Sequence, residues 1–247
     1  MNVMTPERAG ISPCSRSLQT VFPFSRPALF RGLTTADMRR VEAAFGENLY
    51  GDGDPVPRDA DDAAFVALLL EGTLREDVRD PEGGTRLLSL AFTGETLSPL
   101  GPRCRGGRLT AIGTTRLLTC DRDGFDRLAD AVPRLRVNLL GLFQDQLAEA
   151  HRWQILLGRK TASERIASML AWFHGRQGAP DEMHLPVSRA ELGQMSGLTL
   201  ETVSRQMRAL ERQGVIRLPL PTRVRVLDLG ALQDLTGDVS ARRPLHS

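Results

Sequence analysis

VSRAELGQMSGLTLETVSRQMRALERQG, residues 187–214, is the stretch whose reading decides the C-terminal half of this chain. Ser188 with Glu191 three residues later forms a capping box, the signature of a helix start. Gly197 supplies a turn, and Thr199 is suited to N-cap a second helix. In that second helix Val203, Met207 and Leu210 recur at helical spacing and form one apolar face. Glu201, Ser204, Arg205 and Arg208 form another. Two short helices joined this tightly make a helix–turn–helix, whose second helix is suited to the DNA major groove.

The chemistry of the polar face agrees with its geometry. Arginine can donate two parallel hydrogen bonds to guanine O6 and N7, and glutamate accepts from cytosine N4. Glu201 and Arg205 stand one turn apart, so they are expected to read neighbouring base pairs and to hold each other. Ser204 between them is small enough to approach a thymine edge. Arg189, Thr199, Thr202 and Arg208 are the candidates for contacts that position the helix. The plain alternative is an i,i+4 surface pair worth only ~0.2–0.5 kcal/mol. The next segment of the chain weighs against it: Val215–Leu218 and Arg223–Leu227 are β-branched runs separated by PLPT, as in a two-stranded wing. Arg217, Arg223 and Arg225 on that wing are candidates for phosphate contacts, which set register without reading sequence.

The run Glu201-Thr202-Val203-Ser204-Arg205 resembles the E-x-x-S-R recognition motif of the Crp–Fnr superfamily of bacterial regulators, on its Fnr/FixK side. Upstream, Lys160-Thr161-Ala162-Ser163-Glu164-Arg165-Ile166-Ala167 is similar to the K-x-A-x-E-R-[LI]-A signature that opens that family's DNA-binding domain. Thr161 with Glu164 is also a capping box in its own right. The resemblance runs from about residue 30 to 236 and is strongest from 151 onward. It implies that Glu201, Ser204 and Arg205 read a TTGA-type half-site and that a homodimer reads TTGA–N6–TCAA. The implied fold is α+β: a cyclic-nucleotide-binding-like β-roll, a long dimerisation helix and a C-terminal winged helix–turn–helix. The expected partners are double-stranded DNA, a second copy of the chain and RNA polymerase. The expected role is transcription regulation in an oxygen-, redox- or metabolism-linked circuit. The alternative is a ligand- or redox-sensing module whose DNA binding depends on an effector.

Bulk properties fit. The 247 residues suffice for one large or two ordinary domains, and 41% hydrophobic content with mixed charge signs describes a globular chain. Net charge is +2 overall, but residues 151–247 hold 14 Lys+Arg against 9 Asp+Glu, and residues 1–150 hold 18 against 21. The positive excess accompanies the helix–turn–helix, as phosphate neutralisation requires. No apolar run approaches a membrane span and no signal peptide opens the chain, so a cytoplasmic location is expected. No P-loop, H-E-x-x-H or G-x-S-x-G motif points to an enzyme.

Boundaries come from pattern. Residues 1–30 read as an N-terminal arm and 31–130 as the roll, opening with a short helix over 34–48 on Met38, Val41 and Phe45. Glycines then punctuate short apolar runs every 8–12 residues. The expected strands begin at Phe65, Thr85 and Ala111. Residues 131–157 read as the dimerisation helix, 158–236 as the winged domain and 237–247 as a tail. Along the helix, Leu135, Leu139, Leu142, Gln146, Glu149, Trp153 and Leu156 alternate four- and three-residue steps, with a parallel seam through Phe143. Such spacing implies a partner helix, so Leu135, Leu139, Leu142, Phe143, Gln146 and Trp153 are the candidate dimer interface. Packing against the chain's own roll would produce the same pattern.

No cofactor is expected to be required. Gly94-Glu95 resembles the phosphate turn of cyclic-AMP-binding relatives, but Pro99 replaces the second glutamate and Arg108 stands one position early, which in a strand reverses its face. All four histidines lie outside the roll. The Fnr branch holds an iron–sulfur cluster through three N-terminal cysteines and one late in the roll. Cys120 matches the late place and Cys14 one early place, while the neighbouring ligand places are Ile11 and Thr20. Such clusters ordinarily take four thiolates, and this chain has three cysteines. Cys104, flanked by Arg103 and Arg105, is a candidate redox thiol.

Overall fold

The computed structural model describes residues 12–13, 27–57, 66–79, 82–97 and 107–238. Cys14, Cys104, Phe65 and Pro99 lie outside them. Two compact units divide after Gln146.

The N-terminal unit is a roll of antiparallel strands ordered β1-β2-β7-β4-β5, with β3 on β7 and β6 on β4. The strands are β1 (Ser12–Pro13), β2 (Gly46–Tyr50), β3 (Pro55–Val56), β4 (Val66–Arg79), β5 (Thr85–Phe92), β6 (Thr96–Leu97) and β7 (Arg108–Cys120). The three expected strands are β4, β5 and β7. The unbroken run Val66–Leu70 is buried on both faces. Val66, Leu68 and Leu70 enter one core with Leu118 and Cys120, whereas Ala67 and Leu69 enter a second with Leu74, Leu109 and Leu117. Burial on both faces removes the need for alternation, which is why that run reads as continuous rather than period-two.

Helix α1 (Thr35–Ala44) starts at the capping box of Thr34 and Asp37. It ends earlier than expected because Gly46–Tyr50 pairs with β7, while Phe45 fills the core edge-on to Phe30. Helix α2 (Arg122–Ala131), capped by Asp121, was not anticipated; it buries Phe125, Leu128 and Ala129 against the first core.

Helix α3 (Arg134–Arg159) corrects the dimer assignment. Leu135 is 0% exposed inside the chain's own core, and Leu139 and Leu142 pack against that core. Asn138 on the same half donates to the carbonyls of Leu29 and Arg31, at 2.8 and 2.9 Å. On the C-terminal half, Trp153 meets Trp172 edge-on at 5.7 Å and Leu156 is 7% exposed. The seam through residues 135, 139, 142, 149, 153 and 156 therefore faces the chain itself. The exposed apolar side chains lie beside it: Val137, Leu140, Phe143, Leu147, Ile155 and Leu157.

In the C-terminal unit, α4 (Ala162–Arg176), α5 (Arg189–Ser196), α6 (Leu200–Arg212) and the short α7 (Leu229–Asp234) surround a core that includes Ile166, Phe173, Leu192, Val203 and Met207. The wing is three-stranded, in the order β8 (Glu182–His184), β10 (Arg223–Val226), β9 (Ile216–Leu220). Its hairpin turn is narrower than the expected PLPT, because Pro219 and Leu220 belong to β9. The edge position of β9 tolerates a proline that lacks a donor.

Candidate nucleic-acid interface

The reading helix is held by a chain of local devices. Ser188 and Glu191 cap α5 reciprocally, with Glu191 accepting from the Ser188 N–H at 2.7 Å and Ser188 from Glu191 at 3.2 Å. Gly197 closes α5 at φ +64°, in the left-handed region where a side chain is disfavoured. The turn is tight. A Cβ on Gly193 would lie 2.6 Å from the Leu198 carbonyl oxygen, and the Leu198 N–H donates to the Gly193 carbonyl at 2.8 Å. Gly193 escaped the sequence reading, although a glycine inside a helix costs about 1 kcal/mol against alanine and so calls for a packing reason.

Thr199 caps α6, accepting from the Thr202 N–H at 3.2 Å, and its hydroxyl donates to Thr202 Oγ1 at 3.0 Å. Val203, Met207 and Leu210 are all buried, so the helix presents one fixed face outward. On that face Leu200, Glu201, Ser204, Arg205, Arg208 and Arg212 line an open groove of about 420 Å³. Among the described residues Glu201 forms no ion pair with Arg205, contrary to expectation. Arg205 instead reaches Thr202 Oγ1 at 3.4 Å. The Thr202 hydroxyl thus steadies the arginine while its remaining donors and the Glu201 carboxylate face solvent.

Arg189 stands elsewhere. It opens α5 half-buried, with one terminal nitrogen enclosed and without a hydrogen-bond partner among the described residues. Burial lowers its pKa, while the nearby Glu211 charge acts to raise it. Glu211 also accepts from the backbone N–H of Leu218 at 2.9 Å, which fastens the end of α6 to the wing.

The K-x-A-x-E-R segment works as a fastening. Lys160 donates to Ser168 Oγ at 2.8 Å and pairs with Asp238 at 2.8 Å. Glu164 caps α4 through Thr161; hydrogen bonds from the Thr161 backbone and hydroxyl hold its carboxyl below the usual range. Arg165 donates to three carbonyls, those of Lys160 (2.9 Å), Ser196 (3.0 Å) and Leu157 (2.8 Å). One guanidinium therefore ties the end of α3 to the turn before the reading helix. Glu149 makes a second tie: it accepts from Trp172 Nε1 and pairs with Arg152 and with Arg176 at 3.7 Å. Burial pushes its carboxyl up, but the bonds from Arg152 and Trp172 and the arginine charges outweigh that and leave it lowered.

On the wing Arg223 and Arg225 point to the exposed face on either side of buried Val224. Both bind Glu182, at 3.0 and 3.2 Å.

Of the cofactor candidates, Cys14 and Cys104 lie outside the described residues, and Cys120, Gly94-Glu95 and Arg108 are placed by the roll. Cys120 is 3% exposed, and burial, with the Asp121 charge adding and Arg127 opposing, pushes its thiol up to about 12. Gly94-Glu95 forms a turn whose backbone bonds Leu69 in β4, and Arg108 is the exposed first residue of β7.

The Crp-like helix-turn-helix domain family matches residues 164–235. The transcriptional activator protein FnrL of Cereibacter sphaeroides is 36% identical over 203 residues, covering 77% of this chain and 80% of that protein. The nitrogen fixation regulation protein FixK of Azorhizobium caulinodans is 38% identical over 227 residues, covering 90% and 83%. The solved structure of FixK2 from Bradyrhizobium japonicum superposes with a TM-score of 0.67 at 25% identity, covering 77% of this chain and 96% of that one. With its α+β fold and its helix–turn–helix, the chain belongs to the Crp–Fnr family, among its Fnr/FixK-like members, and is a DNA-binding transcription regulator.

Proposed function

We propose that the protein acts as a homodimer on a TTGA–N6–TCAA-type palindrome, with Glu201, Ser204 and Arg205 of each protomer on base edges. The carrying observation is the outward face of α6, where Glu201 and Arg205 stand free of each other on a helix fixed by its buried side. Arg205 matches guanine O6 and N7, and Glu201 the N4 of the paired cytosine. Thr199 and Thr202 act first on the helix start and on Arg205, with Arg208 and the wing arginines toward phosphates. Arg189 steadies the base of α5.

The dimer seam in this reading lies on the outer face of α3, through Leu140, Phe143, Leu147, Ala150, Gln154 and Leu157. Their three- and four-residue steps are those of paired helices, and all six are exposed in the single chain. Two-fold pairing sets two reading helices about 34 Å apart, one turn of DNA. In this reading the dimer binds DNA without a cofactor, since the chain's three cysteines fall short of the four thiolates that an iron–sulfur cluster ordinarily takes. FnrL bears the name of an activator; an activator at a promoter in the cytoplasm takes RNA polymerase as its further partner. The name of the FixK relative, a nitrogen fixation regulation protein, points to nitrogen-fixation-linked genes.

Titration of the purified protein with the palindrome and with a scrambled duplex, at ~0.15 M salt, tests this. Tight binding to the palindrome alone is expected. Arg205→Ala should lose about 1–3 kcal/mol on the palindrome and relax selectivity at the guanine. Equal losses on both duplexes would remove Arg205 from the base-reading set.

A further inference from the structure

Two arginines stand together on the roll where β4 and β7 run out. Side chains alternate between the faces of a strand, so Arg75, Asp77 and Arg79 of β4 share one face. On that face Arg108 of β7 is the partner of Asp77, Thr110 of β7 that of Arg75, and Thr85 of β5 that of Arg79. Leu74, Leu109 and Ala111 take the other face and enter the second core, so the arginines lie on the outside of the roll. Arg75 Nε donates to both oxygens of Asp77, at 2.8 and 2.7 Å, which answers that carboxylate. Arg79 and Arg108 are exposed, and their guanidinium groups form no ion pair or hydrogen bond among the described residues. They are diagonal neighbours, about 7–8 Å apart along a sheet. Like charges at that spacing repel and cost the roll stability.

The same face forms an open cleft of about 500 Å³, in which Asp77, Arg79, Thr85, Arg108 and Thr110 meet the backbone of Gly53. The Gly94-Glu95 turn is not part of its lining. Asp52 and Asp54, on either side of Gly53, bind backbone donors, accepting from the N–H of Gly113 and of Gly51 at 2.7 Å each. The carboxylates around the cleft are therefore engaged, while two guanidinium groups and two threonine hydroxyls face it. A guanidinium fork matches an oxyanion with two parallel hydrogen bonds. We infer that the cleft binds a small dianion, a phosphate monoester or a dicarboxylate, between Arg79 and Arg108, with Thr85 and Thr110 beside its oxygens. The bound dianion replaces the repulsion between the two arginines with attraction to both. The site is separate from the DNA-reading face of α6 and does not depend on it.

Thermal unfolding and calorimetric titration of the purified protein test this, with glycerol 3-phosphate and succinate as separate probes against sodium chloride of matched ionic strength. At millimolar concentration at least one probe should raise the melting temperature of the wild type, as a ligand of the folded state does. It should titrate at one equivalent per chain. The tighter probe identifies which of the two dianion chemistries the cleft takes. Arg79→Gln and Arg108→Gln should each weaken that probe about tenfold, through loss of its charge-assisted hydrogen bonds, and the double variant should not bind it. Both side chains are exposed, so without probe these variants should melt no lower than the wild type. Arg86→Gln removes an equal charge one residue from Thr85, on the opposite face of the sheet, and should leave the affinity unchanged. No stabilisation by either probe beyond the chloride control would overturn the site. So would a loss of affinity in Arg86→Gln as large as in Arg108→Gln, which would reduce the effect to general charge.

Discussion

Charged side chains are arranged in opposite ways on the strands of the roll, Arg79 and Arg108 at their ends apart, and on the outer face of α6. On the roll, Arg116 bonds Glu47 and reaches Glu71 at 3.6 Å, Arg75 bonds Asp77 at 2.7 Å, and Ser89 donates to Glu76 at 2.7 Å. On α6, Glu201 and Arg205 stand one turn apart and form no ion pair among the described residues, and Arg205 is steadied by a threonine hydroxyl. Both units carry similar residues at similar spacings, so residue type alone does not mark a site. A charge answered by its own chain serves the fold. A charge held in position and left unanswered is available to a partner, and in the proposed reading that partner is DNA.

The largest effect that separates the two kinds of charge is expected at Arg165, a cation that serves the fold inside the DNA-binding unit. Arg165→Ala removes three charge-assisted bonds to carbonyls and should destabilise the C-terminal unit by on the order of 3 kcal/mol. Arg165→Lys should recover little of this, because one ammonium cannot span three acceptors as the planar fork does. Thermal unfolding of both variants is the check. A melting temperature unchanged in Arg165→Ala would mean that the fastening is redundant.

The same contrast predicts opposite readouts for two arginines. Arg116→Ala should cost the roll about 1–2 kcal/mol, because it removes the charge-assisted bonds to the largely enclosed Glu47 carboxylate, and leave the preference for the palindrome untouched. Arg205→Ala should do the reverse, with no change in melting and a loss of selectivity. Denaturant unfolding and DNA titration of both variants measure the cross. A selectivity loss in Arg116→Ala would break the division between paired and unpaired charge.

Local signals were legible where a few neighbouring residues decide the structure. The boxes Ser188/Glu191 and Thr161/Glu164 and the Gly197 turn appear as read, because a cap is settled within four residues. Three features depended on partners far along the chain. Strand β8 has three residues and exists through its pairing with β10. Helix α2 buries three of its ten residues, too few for a clear period, and its Asp121 cap directly follows a strand. On α3 two adjacent stripes share the seven-residue spacing, and only the packing of Leu135 and Trp153 decides which one turns inward. The outward face of α6 was legible in Glu201, Ser204 and Arg205, which line its groove. Leu200 was not, since an apolar residue in an amphipathic helix is assigned to the core until its exposure is known.

A thiol buried in the roll offers a pH test of the fold-serving side. The folded state holds the Cys120 thiol protonated up to about 12, against 9.0 for an ordinary thiol. Between those values the unfolded chain loses a proton that the folded chain keeps. The contribution is therefore fully present below pH 9 and declines as pH rises toward 12. Stability of Cys120→Ala should fall less steeply over that window than stability of the wild type. In the native protein at pH 8, alkylation of Cys120 should proceed only through unfolding. Rapid native alkylation of Cys120, followed by peptide mapping, would contradict its enclosure.

The smallest effect is expected where the two kinds of charge meet, on the wing. Glu182 in β8 is in register with Arg225 in β10, and its two oxygens accept separately from Arg223 and Arg225. The hydrogen bond from Arg223, aided by both arginine charges, holds its carboxyl below the usual range, so it is ionised at neutral pH. Arg217 in β9 is the cross-strand partner of Arg225. Among the described residues, the face thus carries three guanidinium groups answered by one carboxylate. Glu182→Gln keeps the shape and removes the negative charge, which releases part of the arginine charge toward phosphates. Affinity for a scrambled duplex should rise a few-fold near physiological salt, and the slope of log K against log salt should steepen by about 1. Affinity for the palindrome should rise by no more than that, because the base contacts on α6 are unchanged, so selectivity should hold or decline slightly. An unchanged salt slope would remove the wing from the phosphate-contacting surface, leaving α6 as the only part of the comparison in which unanswered charge meets DNA.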